Sequence, residues 1–210
     1  SDVFSAAEKV YLETEGVFDC SIAPLTNYWG FGFEEKFDTI DSAEVKRRLS
    51  LVDFSRVKIV KDSLHLPPAM QLDFNSIAQG YSVDVVASFL ESKGIKNYLV
   101  EIGGELKAKG VNSENKIWLI GIDKPHENMI EGEGYQIILP LENLSLATSG
   151  NYRKYKEIDG VKYSHTISTH TGFFARNRML SVTVIHPSCM LADAYATAFM
   201  AMGIKQTKDF

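Results

Sequence analysis

The chain has 210 residues, 45% of them hydrophobic, and a formal net charge of -5. That much apolar sequence supports a full core and excludes disordered and collagen-like classes. The acidic balance, with no basic run and no basic amphipathic helix, argues against a nucleic-acid partner. No apolar stretch reaches the length of a membrane-spanning helix. Cys20 and Cys189 sit far apart in apolar surroundings, fit no CxxC pattern, and read as core thiols.

Taken in chain order, residues 3–14 predict a helix closed by Gly16. Any targeting segment is expected upstream of it. Val17 to Leu25 is a short apolar stretch ending at Pro24, and Tyr28-Trp-Gly-Phe-Gly-Phe33 follows as an aromatic loop whose glycines permit close backbone approach. Asp41-Ser-Ala-Glu44 reads as a capped helix start running to about Ser50. Val57–Val60 and Leu64–Leu66 predict a hairpin around Asp62-Ser63. Met70 to Asn75 reads as a strand leading into a helix over Ser76–Ser92, where Ile77, Val83, Val86, Ala87 and Leu90 share a face and Gly94 suits the C-terminal cap.

Tyr98–Ile102 reads as a strand entering Gly103-Gly104, and strands are expected at 117–122 and 135–139. Thr148-Ser-Gly150 reads as a loop before a further strand. Residues 152–158 and 161–168 predict a hairpin turning at Asp159-Gly160, the strongest two-residue hairpin signal. Leu180–Ile185 is a strand, and Pro187-Ser188 caps a helix reaching Met202, stopped by Gly203. There is no βαβ regularity, repeat or linker. The expectation is one α+β domain over residues 1–210, with mixed, largely antiparallel sheets and packed helices.

Two features point to chemistry. The helix beginning near Ser76 presents unpaired N–H groups and a partial positive charge, a ready site for phosphate. In the last helix, Asp193 and Thr197 stand at i, i+4 on a face otherwise made of Met190, Ala194, Met200 and Ala201. A carboxylate among methyl groups is costly unless something positive meets it. Either the pair is ordinary, with Thr197 bonded back to its own helix, or it holds a ligand. Carboxylate and hydroxyl oxygens suit Mg²⁺ or Ca²⁺ rather than zinc.

His165 precedes the polar loop Ser168-Thr-His-Thr-Gly172 and reads equally as a structural histidine or a site residue. His65, His126 and His186 have no evident partners. Gly103-Gly104 and Thr148-Ser-Gly150 are loops where backbone N–H groups could approach a phosphate, though Gly-Gly is more often a simple turn. No dinucleotide-binding glycine motif, P-loop, HExxH or GxSxG elbow occurs.

These pieces, in this order, resemble the ApbE family of FAD:protein FMN transferases (thiamine biosynthesis lipoproteins). The resemblance covers nearly the whole chain. It rests on Phe18-Asp19, Pro24-Leu25 and Trp29-Gly-Phe-Gly32, then on Leu72-Asp-Phe-Asn-Ser-Ile-Ala-Gln-Gly-Tyr-Ser-Val-Asp84 and Val100-Glu-Ile-Gly-Gly-Glu105. Thr148-Ser-Gly-Asn-Tyr152, His165-Thr-Ile167 and Ala192-Asp-Ala-Tyr-Ala-Thr197 complete it.

The resemblance implies a T-fold-like core that binds FAD and Mg²⁺. The implied reaction cleaves the FAD pyrophosphate and attaches FMN to a Thr or Ser hydroxyl of an acceptor protein, a redox-complex subunit, releasing AMP. It assigns Val17, Phe18, Asp19, Asp73, Gln79 and Ile167 to flavin contacts. Ser76, through its carbonyl oxygen, Asp193 and Thr197 are the implied metal ligands, and His165 is the implied catalytic histidine. The implied setting is the periplasmic face of the bacterial cytoplasmic membrane, through a lipid anchor on a cysteine upstream of this chain.

Three positions depart from the family pattern. The family's Asp-Pro-x-Thr-Gly is here Ser168-Thr-His-Thr-Gly172, Phe174 stands where a second proline is common, and a family lysine is Gln79. Two other outcomes therefore stand beside transfer: an FAD pyrophosphatase giving FMN and AMP, and a non-catalytic flavin-binding lipoprotein.

Overall fold

The computed structural model describes residues 2–32, 41–124, 134–151, 155–158, 161–175 and 177–210. The expected Asp159-Gly160 turn, His126, Phe33 and Tyr152 lie outside the described residues. Five α-helices are described: α1 (Asp2–Glu13), α2 (Ala23–Tyr28), α3 (Ser42–Leu49), α4 (Asn75–Ser92) and α5 (Cys189–Asp209). The strands are β1 (Lys58–Val60), β2 (Ser63–His65), β3 (Tyr98–Ile102), β4 (Glu105–Lys109) and β5 (Trp118–Asp123), then β6 (Tyr135–Leu141), β7 (Leu144–Gly150), β8 (Tyr155–Ile158), β9 (Val161–Ser164) and β10 (Ser181–His186). Among the described residues no helix is long and apolar enough to cross a membrane.

One four-stranded sheet, ordered β10-β7-β4-β3, is antiparallel throughout. Helix α4 lies against β3 and β4, α5 lies against β7 and β10, and the two helices pack on each other. The expected antiparallel α+β class holds, and both cysteines are free and buried. Three two-stranded ladders, β1-β2, β5-β6 and β8-β9, stand outside this sheet.

Helix α4 runs from Asn75, one residue before the expected start, and ends where Gly94 takes φ +77. Ile77, Val83 and Ala87 face inward as their spacing requires. In α5 the Ser188 hydroxyl accepts from Leu191 N–H, as an N-cap should. The helix does not stop at Gly203. It kinks there, at φ 77 and ψ 171, and resumes to Asp209. Asn177 Nδ2 donates to the Met200 carbonyl at 2.7 Å, satisfying an acceptor near the break.

Two further expectations are corrected, and two stretches without an assigned element gain one. Met70–Phe74 is not a strand: its one long-range backbone bond, Asp73 N–H to the Cys20 carbonyl at 2.7 Å, belongs to no ladder. Thr148-Ser-Gly150, expected as a loop, is the end of strand β7 (Leu144–Gly150), which lies between β4 and β10. Residues 105–109, unassigned by periodicity, form β4. The stretch through Pro24 is the first turn of α2, where a proline's missing N–H costs nothing.

Candidate functional site

Helix α4 meets α5 at Gly80. A Cβ there would lie 2.3 Å from the Cys189 carbonyl oxygen and 2.9 Å from the Asp193 Cβ, so only glycine allows this approach. The contact brings the Gly80 N–H to Oδ2 of Asp193 at 3.0 Å. In a regular helix that N–H serves the carbonyl four residues earlier, which is Ser76. Asp193 therefore meets the turn of α4 that opens at Ser76.

Asp193 is buried, at 6% exposure. Burial pushes its carboxyl up to about 6, opposed by the Gly80 N–H. One helical turn on, Thr197 Oγ1 lies 3.3 Å from Ser149 Oγ of β7. Thr197 therefore bonds across to the sheet.

Glu105 opens β4 directly after Gly103 (φ +66) and Gly104 (φ +107), a hairpin turn that only glycines enter without strain. It is buried beside this locus. Burial first, then the neighbouring Asp193 charge, pushes its carboxyl up to about 7. Gln79 crosses the same turn: a Cβ on Gly103 would meet its Nε2 at 1.9 Å. The Gln79 side chain is otherwise exposed, while Ser76 is half-buried in the first turn of α4.

The flavin-assigned residues form a second group. Phe18 is a core residue, and Asp19 is buried with its carboxylate accepting from Ser21 N–H at 2.7 Å, Ser21 Oγ at 2.6 Å and Phe54 N–H at 3.1 Å. Val17 is half-buried. Asp73 accepts from Asn75 N–H at 2.8 Å, and its own N–H bonds Cys20, so the entry to α4 is tied to the Phe18-Asp19 stretch. Ile167 is buried against Trp29, Leu25 and Phe174.

Loop 165–174 joins the two groups. Thr169 Oγ1 donates to the Gly16 carbonyl at 2.7 Å, beside Val17. The Trp29 indole N–H donates to the Gly172 carbonyl at 2.8 Å, and Gly172 sits at φ +76 with Val45 where a Cβ would go. The Ser168 hydroxyl accepts from Thr171 N–H at 3.3 Å, an intraloop role open to an aspartate at that position. Thr169, at the family's proline position, holds the loop by a hydrogen bond instead of a ring. His165 is half-buried, with its ring 6.2 Å from that of Phe31. Thr166 Oγ1 donates to Asn151 Oδ1 at 2.7 Å, which ties the residue after His165 to the end of β7, two residues past Ser149.

A hard cation fits these donors, a buried carboxylate with the hydroxyls of Thr197 and Ser149 close by. Among the described residues no three His, Cys, Asp or Glu gather as a metal cluster, so hydroxyl and carbonyl oxygens would have to complete the shell. The features missed by periodicity are Glu105 and Ser149, which reach the locus from the sheet.

The arrangement is that of an α+β protein with a buried acidic locus where two helices meet the sheet. The chain belongs to the ApbE family, whose pattern it matches over residues 1–210. It is 43% identical over 192 residues to the FAD:protein FMN transferase of Vibrio cholerae, covering 90% of this chain and 57% of that protein. It is 31% identical to the enzyme of the same name from Escherichia coli, covering all of this chain and 60% of the other. The solved structure of the flavin transferase ApbE from Vibrio cholerae superposes with a TM-score of 0.86 at 40% identity, covering 98% of this chain and 65% of that one. The chain thus spans less than two thirds of the relatives it matches.

Proposed function

We propose that this chain is the main part of an Mg²⁺-dependent FAD:protein FMN transferase. The observation that carries the reading is the Gly80–Asp193 contact. It gathers an acidic residue, a helix N-terminal turn and hydroxyls at one buried point, which is what binding a diphosphate with its cation requires.

Asp193, Thr197 and the Ser76 carbonyl would hold the ion, which when bound neutralises charge on the diphosphate. The first turn of α4 directs N–H groups toward the phosphates. Loop 165–174, fastened by Thr169 and Trp29, keeps Ile167 and the Val17 stretch together as a flavin contact. In the reaction the acceptor hydroxyl oxygen bonds to the phosphorus of the FMN half. The bond from that phosphorus to the oxygen of the AMP half breaks, and AMP leaves with the electron pair. His165 takes the hydroxyl proton. The acceptor is a protein with an exposed Thr or Ser, and a lipid-anchored periplasmic setting follows from the family resemblance alone.

Incubation of the full-length protein with FAD, Mg²⁺ and a threonine-bearing acceptor tests the reading. Covalent flavin on the acceptor supports it. Free FMN and AMP with no covalent product would make the protein a pyrophosphatase, and unchanged bound FAD would make it a binding protein.

A further inference from the structure

Glu105 is the one buried side chain among the described residues with an oxygen, Oε2, that has no hydrogen-bond partner. The residue is 7% exposed. An ionised carboxylate stripped of water with no donor costs several kcal/mol, so such groups are normally paired or coordinate a cation. Among the described residues no lysine or arginine pairs with it, and Lys107, two residues further along β4, is bonded to Asp84 at 2.9 Å. The charges acting on Glu105 come from Asp193 and, more weakly, Glu101, both acidic.

Three elements enclose the Glu105 carboxylate. The Cys189 Sγ lies 3.6 Å from the Leu106 carbonyl, so the start of β4 is pressed against α5 one turn before Asp193. Gly80 of α4 packs on Cys189 and Asp193. Gln79 lies at the Gly103 turn, 3.7 Å from which, measured at a hypothetical Cβ, is the unpartnered Oε2. Two buried carboxylates therefore lie close together where α4, α5 and β4 meet, and the described residues pair neither with a cationic side chain.

Resting on the proposed cation site at Asp193, we infer that Glu105 supplies a second carboxylate to that ion, directly or through one water. The site then has two acidic ligands from different layers, one from α5 and one from the sheet. A bound cation would clamp the β3–β4 turn onto the helix pair. Gln79, anchored on the same turn, would be brought into register with it.

Mn²⁺ binding followed by electron paramagnetic resonance, with Mg²⁺ as competitor and with or without FAD, tests the assignment. Glu105→Gln is expected to weaken Mn²⁺ binding roughly ten- to a hundredfold, while the metal-free variant melts at or above the native temperature. A merely structural glutamate would leave the affinity unchanged. Native Mn²⁺ affinity in folded Glu105→Gln, with binding lost in Asp193→Asn, overturns the role of Glu105 and leaves the Asp193 site intact. Native affinity in both variants overturns the cation site itself. If Glu105→Gln does not fold, the native protein decides. With isotope-labelled glutamate, an infrared difference spectrum on adding Mg²⁺ is expected to show a shifted glutamate carboxylate band, and no such band overturns the inference.

Discussion

The N–H of Gly80 and Oδ2 of Asp193, 113 residues apart in sequence, meet at 3.0 Å where α4 crosses α5. Alanine at residue 80 would gain about 1 kcal/mol of helix propensity. Its Cβ would nonetheless press on the Cys189 carbonyl, backbone that cannot swing aside. Overpacking of that kind costs about 1–3 kcal/mol, so the close contact wins. Gly80→Ala is expected to lower the melting temperature by several degrees and to weaken cation binding. A raised melting temperature would show that the helices are not held this close.

Asp193→Asn keeps an oxygen for the Gly80 N–H but removes the charge. Mg²⁺-dependent flavin transfer is expected to fall by several orders of magnitude, while the metal-free protein stays folded. Stopped-flow or endpoint assays of covalent flavin read the first quantity and circular dichroism the second. Retained transfer in this variant would remove Asp193 from the metal site.

The pH dependence of the metal-free protein has two limbs. Asp193 and Glu105 are both raised by burial, to about 6 and about 7, with the Asp193 charge adding to the rise at Glu105. The fold therefore favours their neutral forms. The stability they contribute is complete below the unfolded carboxyl range near pH 4, and is lost as pH rises through 6 and 7. Each unit corresponds to about 1.4 kcal/mol, and the two groups interact, so their effects do not add. Asp84 behaves oppositely. Burial pushes it up, but the Met190 N–H, Lys107 and Ser188 outweigh burial and hold it below its ordinary value. Its contribution is present above about pH 4 and is lost on further acidification. Melting temperatures without metal should fall between about pH 4 and 7 and level off above, and Mg²⁺ should flatten that slope. A flat metal-free profile would contradict the burial of the pair.

Thr169→Val removes the hydroxyl that holds the loop to Gly16 while keeping the side-chain volume. The stability cost is about 0.5–1.5 kcal/mol. FAD affinity, read by flavin fluorescence, is expected to drop several-fold, because Ile167 and the Val17 stretch are no longer fastened together. Unchanged affinity would show that the loop is held by the Trp29–Gly172 bond and packing alone.

What the sequence made legible follows from what local pattern encodes. α1, α4, α5 and the strands β3, β5, β6 and β10 announce themselves by periodicity and caps. β7 does not: Ser145, Ala147 and Ser149 are small on the face that α5 covers, and a strand of small polar residues resembles a loop. β4 is masked by lysines, one of which serves Asp84 across the helix–sheet junction. Met70–Phe74 is apolar enough for a strand but finds its partner in Cys20, not in a ladder. At the site, Asp193 and Thr197 were readable because i, i+4 spacing is local. Glu105 and Ser149 converge on them only through the order of the sheet, and the Gly103-Gly104 and Thr148-Ser-Gly150 stretches were the hints available.

In the proposed reading α4 and α5 meet around a divalent ion that holds the diphosphate of FAD. Titrating the full-length protein with FAD, with and without Mg²⁺, and repeating it with Asp193→Asn, tests this most directly. The expected result is that Mg²⁺ tightens FAD binding at least about tenfold in the native protein (about 1.4 kcal/mol) and has no effect in the variant. Equal FAD affinity with and without Mg²⁺ in the native protein, or a full Mg²⁺ response in Asp193→Asn, would contradict it.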